Sequence, residues 1–344
     1  MRNIGIVTLW GNGNYGNRLQ NYAVERLVSK VGFNPFTIVF DSSRNSFTAF
    51  SKIKALVSER VKSPKLPARR KAFDRFNKNY LHPLDISRHE ECDAFVCGSD
   101  QVWNYTFPEF SPEMFLSFAG DRATASLSAS FGVSIVPDKL KPFYSAMLNN
   151  IDYISVRESA GADLVKDICG RDAEVLFDPT MAIEAEEWRS LSEDSTHPSG
   201  RYVFDYFLGQ RPENIDERIK KEFGIETTIS FNNVKQPSWF DADPLDFVSV
   251  IAGADAVVTD SFHGAVFSIL FEKPFVVFER NTLEKSMSSR LDTLLSKVHL
   301  ECNHSINLHS LRDCKRADKP VLEILESERA KTMSFLLRAF GDIA

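Results

Sequence analysis

The chain has 344 residues, of which 43% are apolar and 26% charged, with a net charge of -6 and only 16 glycines. This composition is that of a globular protein and excludes a fibrous or disordered chain. A chain of this length exceeds what one hydrophobic core normally serves, so two domains are expected. No window approaches 18 uncharged apolar residues and the first residues lack a signal-peptide pattern, so we expect a cytoplasmic protein without a membrane-spanning helix.

The charge is unevenly distributed along the chain. Ten Lys or Arg and two acidic residues lie between Lys52 and Lys78, which gives +8 in this segment and -14 over the rest. Such a segment can meet phosphates, nucleic acid or anionic lipid, and it can equally be the solvated face of a helix. Pro64 and Pro67 predict that it is not one continuous helix.

The cysteines and histidines indicate neither a disulfide framework nor a metal site. The histidines form no HxxxH or HExxH group, and no two cysteines form a CxxC pair. We therefore expect free thiols and no metal. The five cysteines are Cys92, Cys97, Cys169, Cys302 and Cys314. A GxSxG elbow and an RNA-binding motif are also missing, so neither serine hydrolysis nor a nucleic-acid partner is expected.

Taken in chain order, the predicted elements alternate between strands and helices. The first half has strands at 3–10, 36–40, 93–98, 123–132, 152–158 and 173–178, and helices at 17–32, 139–150 and 159–168. After a crossing segment at 178–200, the second half has strands at 201–209, 226–231, 255–260 and 274–279, and helices at 212–224, 244–254, 263–272 and 287–298. Apolar strands separated by helices predict parallel sheets covered on both faces.

The predicted fold is therefore α/β, with two Rossmann-like doubly wound domains facing across a cleft. The domains cover residues 1–185 and 200–318, and a final amphipathic helix at 319–344 packs across their boundary. Ligands of such sheets bind beyond the carboxyl ends of the strands, which directs attention to four strand ends.

The first strand ends in WGNGNYGNRLQN at residues 10–21. Its glycines allow a left-handed backbone and close approach of a ligand, and the helix that follows offers free N–H groups to an anion. The segment is neither a Walker loop nor a dinucleotide-binding motif that continues to an acidic residue. The polar side chains expected to contact a ligand here are Asn14, Asn17, Arg18 and Gln20.

Two further strand ends carry polar groups in the first half. CGSDQVWN at residues 97–104 combines amides and a carboxylate with an indole ring, a pattern that can bind sugars and that also fits an ordinary capped loop. The residues concerned are Ser99, Asp100, Gln101, Trp103 and Asn104. SVRESAG at residues 155–161 places Arg157 at a strand end, where a guanidinium can bind phosphate or carboxylate, or else form a structural salt bridge.

The fourth strand end is TDSFHG at residues 259–264, between two apolar runs. Ser261 can cap the helix that starts near His263, and Gly264 can admit a ligand. The helix dipole should lower the pKa of His263, and a bound anion should raise it. A lone histidine is more often structural, but its place at a strand end favours a functional role.

Together these segments resemble the polysaccharide pyruvyl transferase family. The resemblance runs in order from about residue 4 to about residue 300, through GNGNYGNRLQNYA, GSDQVWN, SFG at 130–132, SVRE, DPT at 178–180 and TDSFHGAVFSILFEKPFVVF. It implies a fold of the GT-B type, with the acceptor side in domain 1–185 and the donor side in domain 200–318. It also implies transfer of pyruvate from phosphoenolpyruvate to a sugar as a ketal, with phosphoenolpyruvate as co-substrate and no further cofactor.

The resemblance assigns donor binding and catalysis to His263 and Arg157. Several family members carry an arginine two residues before the histidine, where this chain has Ser261. The donor's charge must then be met by Arg157, by helix N–H groups together with Ser261 and Gly264, or by another arginine. The candidates are Arg18, Arg290 and Arg280. In the mechanism that we expect, protonated His263 is the general acid, and Asp100 or Asp260 accepts a proton from the sugar hydroxyl.

Two other functions fit the same fold. A nucleotide-sugar-dependent GT-B glycosyltransferase would bind a nucleoside diphosphate, and a non-catalytic saccharide- or anion-binding protein would bind without releasing phosphate. The acceptor saccharide can be free or lipid-linked. A lipid-linked acceptor would suit peripheral contact of the basic segment with the inner face of the membrane.

Overall fold

The computed structural model describes residues 1–11, 13–40, 66–196, 198–231, 239, 241–280 and 289–341. Within these ranges, none of the helices is both long and apolar enough to cross a membrane. All five cysteines lie in described segments and are free thiols, as predicted.

The first half of the chain forms a seven-stranded sheet in which every pairing is parallel. Its strands are β1 (Asn3–Val7), β2 (Asn34–Val39), β3 (Pro83–Asp85), β4 (Ala94–Cys97), β5 (Ala123–Ala129), β6 (Tyr153–Val156) and β7 (Glu174–Val175). The spatial order is β3-β2-β1-β4-β5-β6-β7, which reverses direction at β1 and β4. A reversal of this kind opens a crevice at the carboxyl ends of the strands.

The helices of the first half are α1 (Tyr15–Lys30), α2 (Leu66–Tyr80), α3 (Lys141–Asn149), α4 (Ser159–Cys169), α5 (Pro179–Ala182) and α6 (Ala185–Leu191). Short 3₁₀ turns occupy Ile86–Glu91, Pro112–Phe115 and Asp138–Leu140. Asn14 caps α1, because its side chain accepts a hydrogen bond from the Asn17 backbone N–H.

The second half forms a four-stranded parallel sheet in the order β11-β10-β8-β9. Its strands are β8 (Val203–Tyr206), β9 (Thr228–Ser230), β10 (Ala256–Thr259) and β11 (Phe275–Val277). Its helices are α7 (Ile215–Arg218), α8 (Pro244–Gly253), α9 (Phe262–Leu270) and α10 (Ser289–Lys297). Further 3₁₀ turns lie at Glu301–Asn303, Ser305–Asn307 and Leu311–Asp313, before the long helix α11 (Lys319–Phe340). The predicted α/β fold with two Rossmann-like units is confirmed by these two sheets.

Several predicted elements needed correction. Strand β3 was not predicted, because three residues beginning with proline carry little strand signal. The basic segment contains helix α2, which starts at Leu66 with Pro67 in its first turn, where proline is tolerated. Residues 52–65 of that segment lie outside the described residues, and the predicted membrane contact stays a prediction. The crossing segment contains α5 and α6, and the helix predicted at 212–224 changes from α7 into a π-helix at Ile219–Phe223.

The largest hydrophobic core runs through both sheets, from β1 and α1 to β10 and α9. Tyr15 at the start of α1 inserts its ring among aromatic side chains of the second half. Its ring centroid is 5.2 Å from Phe247, with the rings nearly parallel, 5.4 Å from Phe231 and 5.8 Å from Tyr206. The two units therefore share a packed boundary beside the predicted cleft.

Helix α11 returns to the first half of the chain. The Arg329 guanidinium donates to the Met181 carbonyl at 3.1 Å, and Arg338 pairs with Glu174 on β7. Glu328 of the same helix pairs with Lys297 at the end of α10, at 3.2 Å. The final helix thus ties α10 to the outer edge of the first sheet.

Candidate active site

Four strand ends meet at the boundary between the two sheets. Asp100 follows β4, Arg157 follows β6, and Asp178 follows β7 in the first half. His263 lies in the first turn of α9, directly after β10 in the second half. Because all strands within each sheet are parallel, these residues lie at the carboxyl edges, where ligands of such sheets bind.

Asp178 is the centre of the cluster. Its Oδ2 accepts hydrogen bonds from the Arg157 Nη1 at 2.9 Å and the Ser99 hydroxyl at 2.8 Å. The His263 Nε2 lies 3.7 Å from the same oxygen. The Asp178 side chain is completely buried, and its other oxygen accepts from the backbone N–H and hydroxyl of Thr180. His263 and Arg157, which are 106 positions apart in the sequence, therefore meet at one carboxylate oxygen.

The Arg157 guanidinium is buried and only partly satisfied by protein groups. Its Nη2 lies 3.6 Å from the Asp100 Oδ1, and its Cζ lies 4.4 Å from the centre of the Phe262 ring. Neither Nε nor Nη2 makes a hydrogen bond to any residue that the structure describes. Burial alone would lower the pKa of Arg157, but Asp178, Asp100 and Glu158 raise it, so the guanidinium stays charged. A guanidinium whose Nε and Nη2 lack hydrogen-bond acceptors among the described residues is suited to bind an anion.

Asp100 is held in an uncommon backbone conformation. Its φ is 70°, in the left-handed region that aspartate tolerates better than most residues. Its Oδ1 accepts from the Gln101 backbone N–H at 2.9 Å, and its Oδ2 accepts from the Asn17 Nδ2 at 3.2 Å. Burial raises the pKa of Asp100, but the positive charges of Arg157, His263 and Arg290 and the bond from Asn17 outweigh it and lower the pKa. Burial also raises the pKa of Asp178, but the charges of His263 and Arg157 outweigh it and lower the pKa to about 2.

The His263 ring lies between the two units. Ser261 caps α9 as predicted, because its hydroxyl accepts from the Gly264 N–H at 3.3 Å. The ring packs directly on the backbone of Gly16 in the first turn of α1, and a Cβ at Gly16 would overlap it. The Nε2 is buried and has no hydrogen-bond partner within the described part of the chain. Burial lowers the pKa of His263, and the neighbouring Arg157 and Arg290 lower it further against the effect of Asp178 and Asp100.

Arg290 and Arg18, two of the predicted donor ligands, have different surroundings. Arg290 on α10 is buried, its Nε has no partner, and burial followed by the charge of Arg157 lowers its pKa to about 10. Within the described part of the chain, no hydrogen bond or ion pair involves the Arg290 guanidinium. Arg18 is also fully buried, but it bonds to the Leu9 carbonyl and the Asn17 Oδ1 and lies 4.6 Å from the centre of the Trp10 ring. Burial lowers the pKa of Arg18 to about 9.

Several side chains predicted to bind the acceptor instead pack against, or hydrogen-bond to, other residues of the protein. Trp103 was expected to offer an aromatic face, but its ring is fully buried, stacks on Phe115 at 5.4 Å and donates its N–H to the Met114 carbonyl. This prediction was wrong, because the apolar neighbours that bury the ring are distant in sequence. Gln20 is buried against Thr8, and Gln101 and Asn104 bond to each other at 2.9 Å. Ser99 donates to Asp178, and Asn14, which caps α1, is the exposed member of this predicted set.

The glycines and Asp260 also have structural roles. Gly264 does not face a ligand, because its α-carbon packs on Thr259, where a Cβ would lie 2.5 Å from the hydroxyl oxygen. Gly11, Gly13 and Gly16 do not use the left-handed backbone that glycine allows. The Asp260 carboxylate accepts from the backbone N–H groups of Leu208 and Gly209, both at 2.7 Å.

These bonds organise the loop after β8. Arg280 is engaged with Asp260, since its Nη2 donates to the Asp260 carbonyl at 3.1 Å. Asp260 and Arg280 therefore organise this loop, and the catalytic and donor-binding roles expected of them stay predictions.

Two acidic residues of the cluster were missed. Asp178 belongs to the DPT segment, which was interpreted as the start of a crossing, although an aspartate after a predicted strand is itself a signal for a site residue. Glu158 was interpreted only as the start of a helix. It does precede α4 as the N-cap residue, but its side chain makes no capping hydrogen bond. Its buried Oε1 accepts from the Ser130 hydroxyl at 2.8 Å and the Phe131 N–H at 3.1 Å.

Comparison with known proteins decides the family. The family model described as polysaccharide pyruvyl transferase matches residues 14–282, more than three quarters of the chain. The chain belongs to the polysaccharide pyruvyl transferase family. The match contains the whole cluster around Asp178 except Arg290, and it identifies a transferase of polysaccharide biosynthesis. No curated protein matches the sequence significantly.

Solved structures of similar fold include nucleotide-sugar enzymes. One is a putative UDP-N-acetylglucosamine 2-epimerase from Listeria monocytogenes, at 12% identity and a TM-score of 0.48, with 99% of this chain and 97% of that chain covered. Another is UDP-GlcNAc 2-epimerase from Neisseria meningitidis bound to UDP-GlcNAc, at 9% identity and a TM-score of 0.49, with 98% and 100% covered. A third is ADP-heptose LPS heptosyltransferase II from E. coli, at 13% identity and a TM-score of 0.39, with 96% and 99% covered.

Proposed function

We propose that this member of the family transfers the pyruvyl group of phosphoenolpyruvate to two hydroxyls of a sugar, forming a ketal and releasing phosphate. The observation that carries the proposal is the set of buried, unpartnered nitrogen atoms where the two units meet: Nε and Nη2 of Arg157, Nε of Arg290 and Nε2 of His263. Buried polar groups in folded proteins are nearly always hydrogen-bonded, so three such residues together favour a bound polar ligand.

The charges favour a small anion with more than one acidic group. The Arg157 and Arg290 guanidinium groups both lie near His263, because the charge of each lowers the pKa of that histidine. Two cations that are close together and lack full carboxylate partners repel each other, and a dianionic ligand would relieve that repulsion. Phosphoenolpyruvate carries a phosphate and a carboxylate, and guanidinium groups bind both through paired N–H donors.

The proposed reaction balances as two additions at one carbon. The first sugar hydroxyl forms a bond to C2 of phosphoenolpyruvate while C3 receives a proton, which converts the methylene into a methyl group. The second hydroxyl then forms the second C2–O bond as the bond from C2 to the phosphate oxygen breaks. Of the two protons released by the hydroxyls, one balances the proton that C3 received and the other leaves on the phosphate.

We assign the proton donated to C3 to Nε2 of His263. In the unliganded protein burial lowers the pKa of His263, with a further contribution from Arg157 and Arg290. A phosphate dianion bound between these arginines and the ring would oppose that effect and raise the pKa. Donor binding would thus protonate the histidine at the moment when an acid is required.

The proposal is tested by binding and by product analysis. Phosphoenolpyruvate should raise the midpoint of thermal unfolding, and UDP should not. Mass spectrometry of candidate saccharides after incubation with phosphoenolpyruvate should show a gain in mass equal to that of pyruvic acid less one water, because phosphate is the group that leaves, and incubation with pyruvate plus phosphate is the control. Stabilisation by UDP alone would favour a glycosyltransferase. Stabilisation by phosphoenolpyruvate without phosphate release would indicate a binding protein.

A further inference from the structure

Glu158 has a carboxylate oxygen to which none of the described residues donates a hydrogen bond. The residue is 1% exposed, and its Oε2 is buried without a hydrogen-bond partner, whereas Oε1 accepts from Ser130 and Phe131. An unsatisfied buried oxygen of this kind destabilises a folded protein, and more so when the group is charged. A hydrogen-bond donor from outside the protein would remove that cost.

In the other two carboxylates of the cluster, each oxygen already has a hydrogen-bond donor. Both oxygens of Asp178 accept hydrogen bonds, and so do both oxygens of Asp100. Their pKa values are lowered, which makes them weak bases. Asp100 was the base expected from the sequence, but its oxygens are already used to hold Asn17 and the backbone of the following residue.

Glu158 also lies near the positive charges that are proposed to bind the donor. Its charge acts on both Arg157 and Arg290, the two guanidinium groups proposed to bind the donor. Being next to Arg157 in sequence, it extends from the same strand end, β6. Because the Glu158 charge acts on both guanidinium groups, an acceptor hydroxyl bonded to Oε2 would lie in the same part of the site as a donor held by the arginines.

The carboxylate is held rigidly by the SFG segment. Ser130 donates to Glu158 and accepts from the Gly132 N–H at 3.0 Å, and Gly132 itself has a φ of 62°, which favours glycine. The β5 strand that leads into this segment shifts register against β6 between Ser126 and Ala129. A base fixed by a second layer of hydrogen bonds needs little reorganisation during the reaction.

We propose that Oε2 of Glu158 binds a hydroxyl of the sugar acceptor and accepts its proton as that hydroxyl attacks C2 of the donor. The assignment rests on the proposed function, because it requires a hydroxyl as nucleophile. The hydroxyl O–H bond breaks, the oxygen forms its bond to C2, and the proton resides on Glu158 until it is passed to the departing phosphate or to water.

The test compares Glu158→Gln with the parent protein. Glutamine keeps the shape and the oxygen that accepts from Ser130 and Phe131, but it cannot take up a proton. We expect kcat for phosphate release, with phosphoenolpyruvate and the methyl glycosides of galactose, glucose and mannose, to fall roughly 10²- to 10⁴-fold. The Kd for phosphoenolpyruvate, measured by calorimetry, should stay within about threefold, because the arginines remain.

Further readouts separate catalysis from structure. The loss should appear in kcat while the KM for phosphoenolpyruvate stays close to that of the parent, a separation that a general structural defect would not produce. Glu109→Gln, which changes an exposed glutamate, is the matched control and should behave like the parent. Thermal unfolding of Glu158→Gln should stay close to that of the parent.

The possible failures are distinguishable. A parent that transfers pyruvate together with a Glu158→Gln variant of similar kcat overturns the assignment alone. A variant with normal kcat but weakened phosphoenolpyruvate binding also overturns it, because Glu158 would then support the donor. A parent that neither binds phosphoenolpyruvate nor releases phosphate with any of these glycosides contradicts the proposed function, and the assignment falls with it.

Discussion

At the scale of single residues, the cluster around Asp178 combines groups that the protein satisfies with groups that it leaves unsatisfied. Asp178 is saturated with hydrogen bonds, whereas Arg157, Arg290 and His263 each keep a buried nitrogen without a partner. The saturated carboxylate positions the cations, and the unsatisfied nitrogens remain available to a ligand. Removing a saturated group should therefore damage the fold, and removing an unsatisfied one should damage binding.

Arg290→Met separates these two effects. The variant should bind phosphoenolpyruvate roughly 10- to 100-fold more weakly, because a charge-assisted hydrogen bond contributes about 1.5–3 kcal/mol. It should unfold at the same urea concentration as the parent or a higher one, since the buried guanidinium has no carboxylate partner in the described residues. Calorimetric titration and urea unfolding measure the two quantities. Normal donor affinity in the variant would exclude Arg290 from the donor site.

Unlike Arg290→Met, Asp178→Asn should lower the stability of the protein. It leaves the Arg157 charge buried without its 2.9 Å partner, a change that typically costs about 3–5 kcal/mol in the free energy of unfolding. We expect a large fall in the urea midpoint together with loss of activity. A variant as stable as the parent would show that Asp178 does not hold Arg157 in place.

His263 gives the stability of the protein a pH dependence whose sign is defined. Burial lowers its pKa below the unfolded value of 6.5, so the unfolded chain binds more protons than the folded one in the window below 6.5. The stability contributed by the neutral ring is complete above that value and is lost as the pH falls through it. Urea unfolding of His263→Gln from about pH 7 to about pH 5 should show a smaller loss of stability than the parent shows. Equal slopes in the two proteins would contradict the lowered pKa.

At the scale of elements, helices α1 and α9 bring their first turns into contact. Gly16 is the residue that allows this, because the His263 ring occupies the position that a side chain would need. The sequence showed a glycine-rich turn, and it was interpreted as room for a ligand. The partner of Gly16 could not be inferred, because it lies 247 positions away and in the other sheet.

Gly16→Ala should therefore displace His263. Alanine favours a helix over glycine by about 1 kcal/mol, so a simple helix effect would stabilise the protein. We expect instead a fall in kcat of at least tenfold, measured by phosphate release, because the proposed general acid, His263, is shifted from its position. Gly341→Ala is a matched control at the end of a helix, with nothing near the added carbon. Full activity of Gly16→Ala would show that the ring moves without consequence.

The sequence predicted most elements and the strand ends that carry the site, because apolar runs and turn residues are local signals. It placed His263 and Arg157 at strand ends that the structure brings to one carboxylate. It failed where burial depends on distant neighbours. Trp103 was expected to face a sugar and packs on Phe115, and Gly264 was expected to face a ligand and packs on Thr259.

At the scale of the whole molecule, the two units are joined by one continuous core. Tyr15 from the first unit lies among Phe247, Phe231 and Tyr206 of the second, and its hydroxyl is buried without a partner. The site residues of both units are therefore held at fixed separation by the same packing that stabilises the fold. Unfolding should follow a single transition rather than one for each unit.

Two substitutions at Tyr15 test whether its ring joins the two units. Tyr15→Ala should lower the free energy of unfolding by about 3–5 kcal/mol, or separate the transition into two, because it removes the ring that both units share. Tyr15→Phe keeps the ring and deletes the unpartnered hydroxyl, so it should be as stable as the parent or more stable. Calorimetric scans of the two variants decide the matter. A mild effect of Tyr15→Ala on a single transition would mean that other contacts join the units.

The most direct measurement of the central claim is phosphate release from phosphoenolpyruvate in the presence of a saccharide panel, compared between the parent and His263→Gln. The account predicts saccharide-dependent release by the parent and a loss of roughly 10²-fold or more in kcat for the variant. Release by His263→Gln at the parent's rate would contradict it, because the reaction would then not depend on the imidazole that the two units hold beside Arg157.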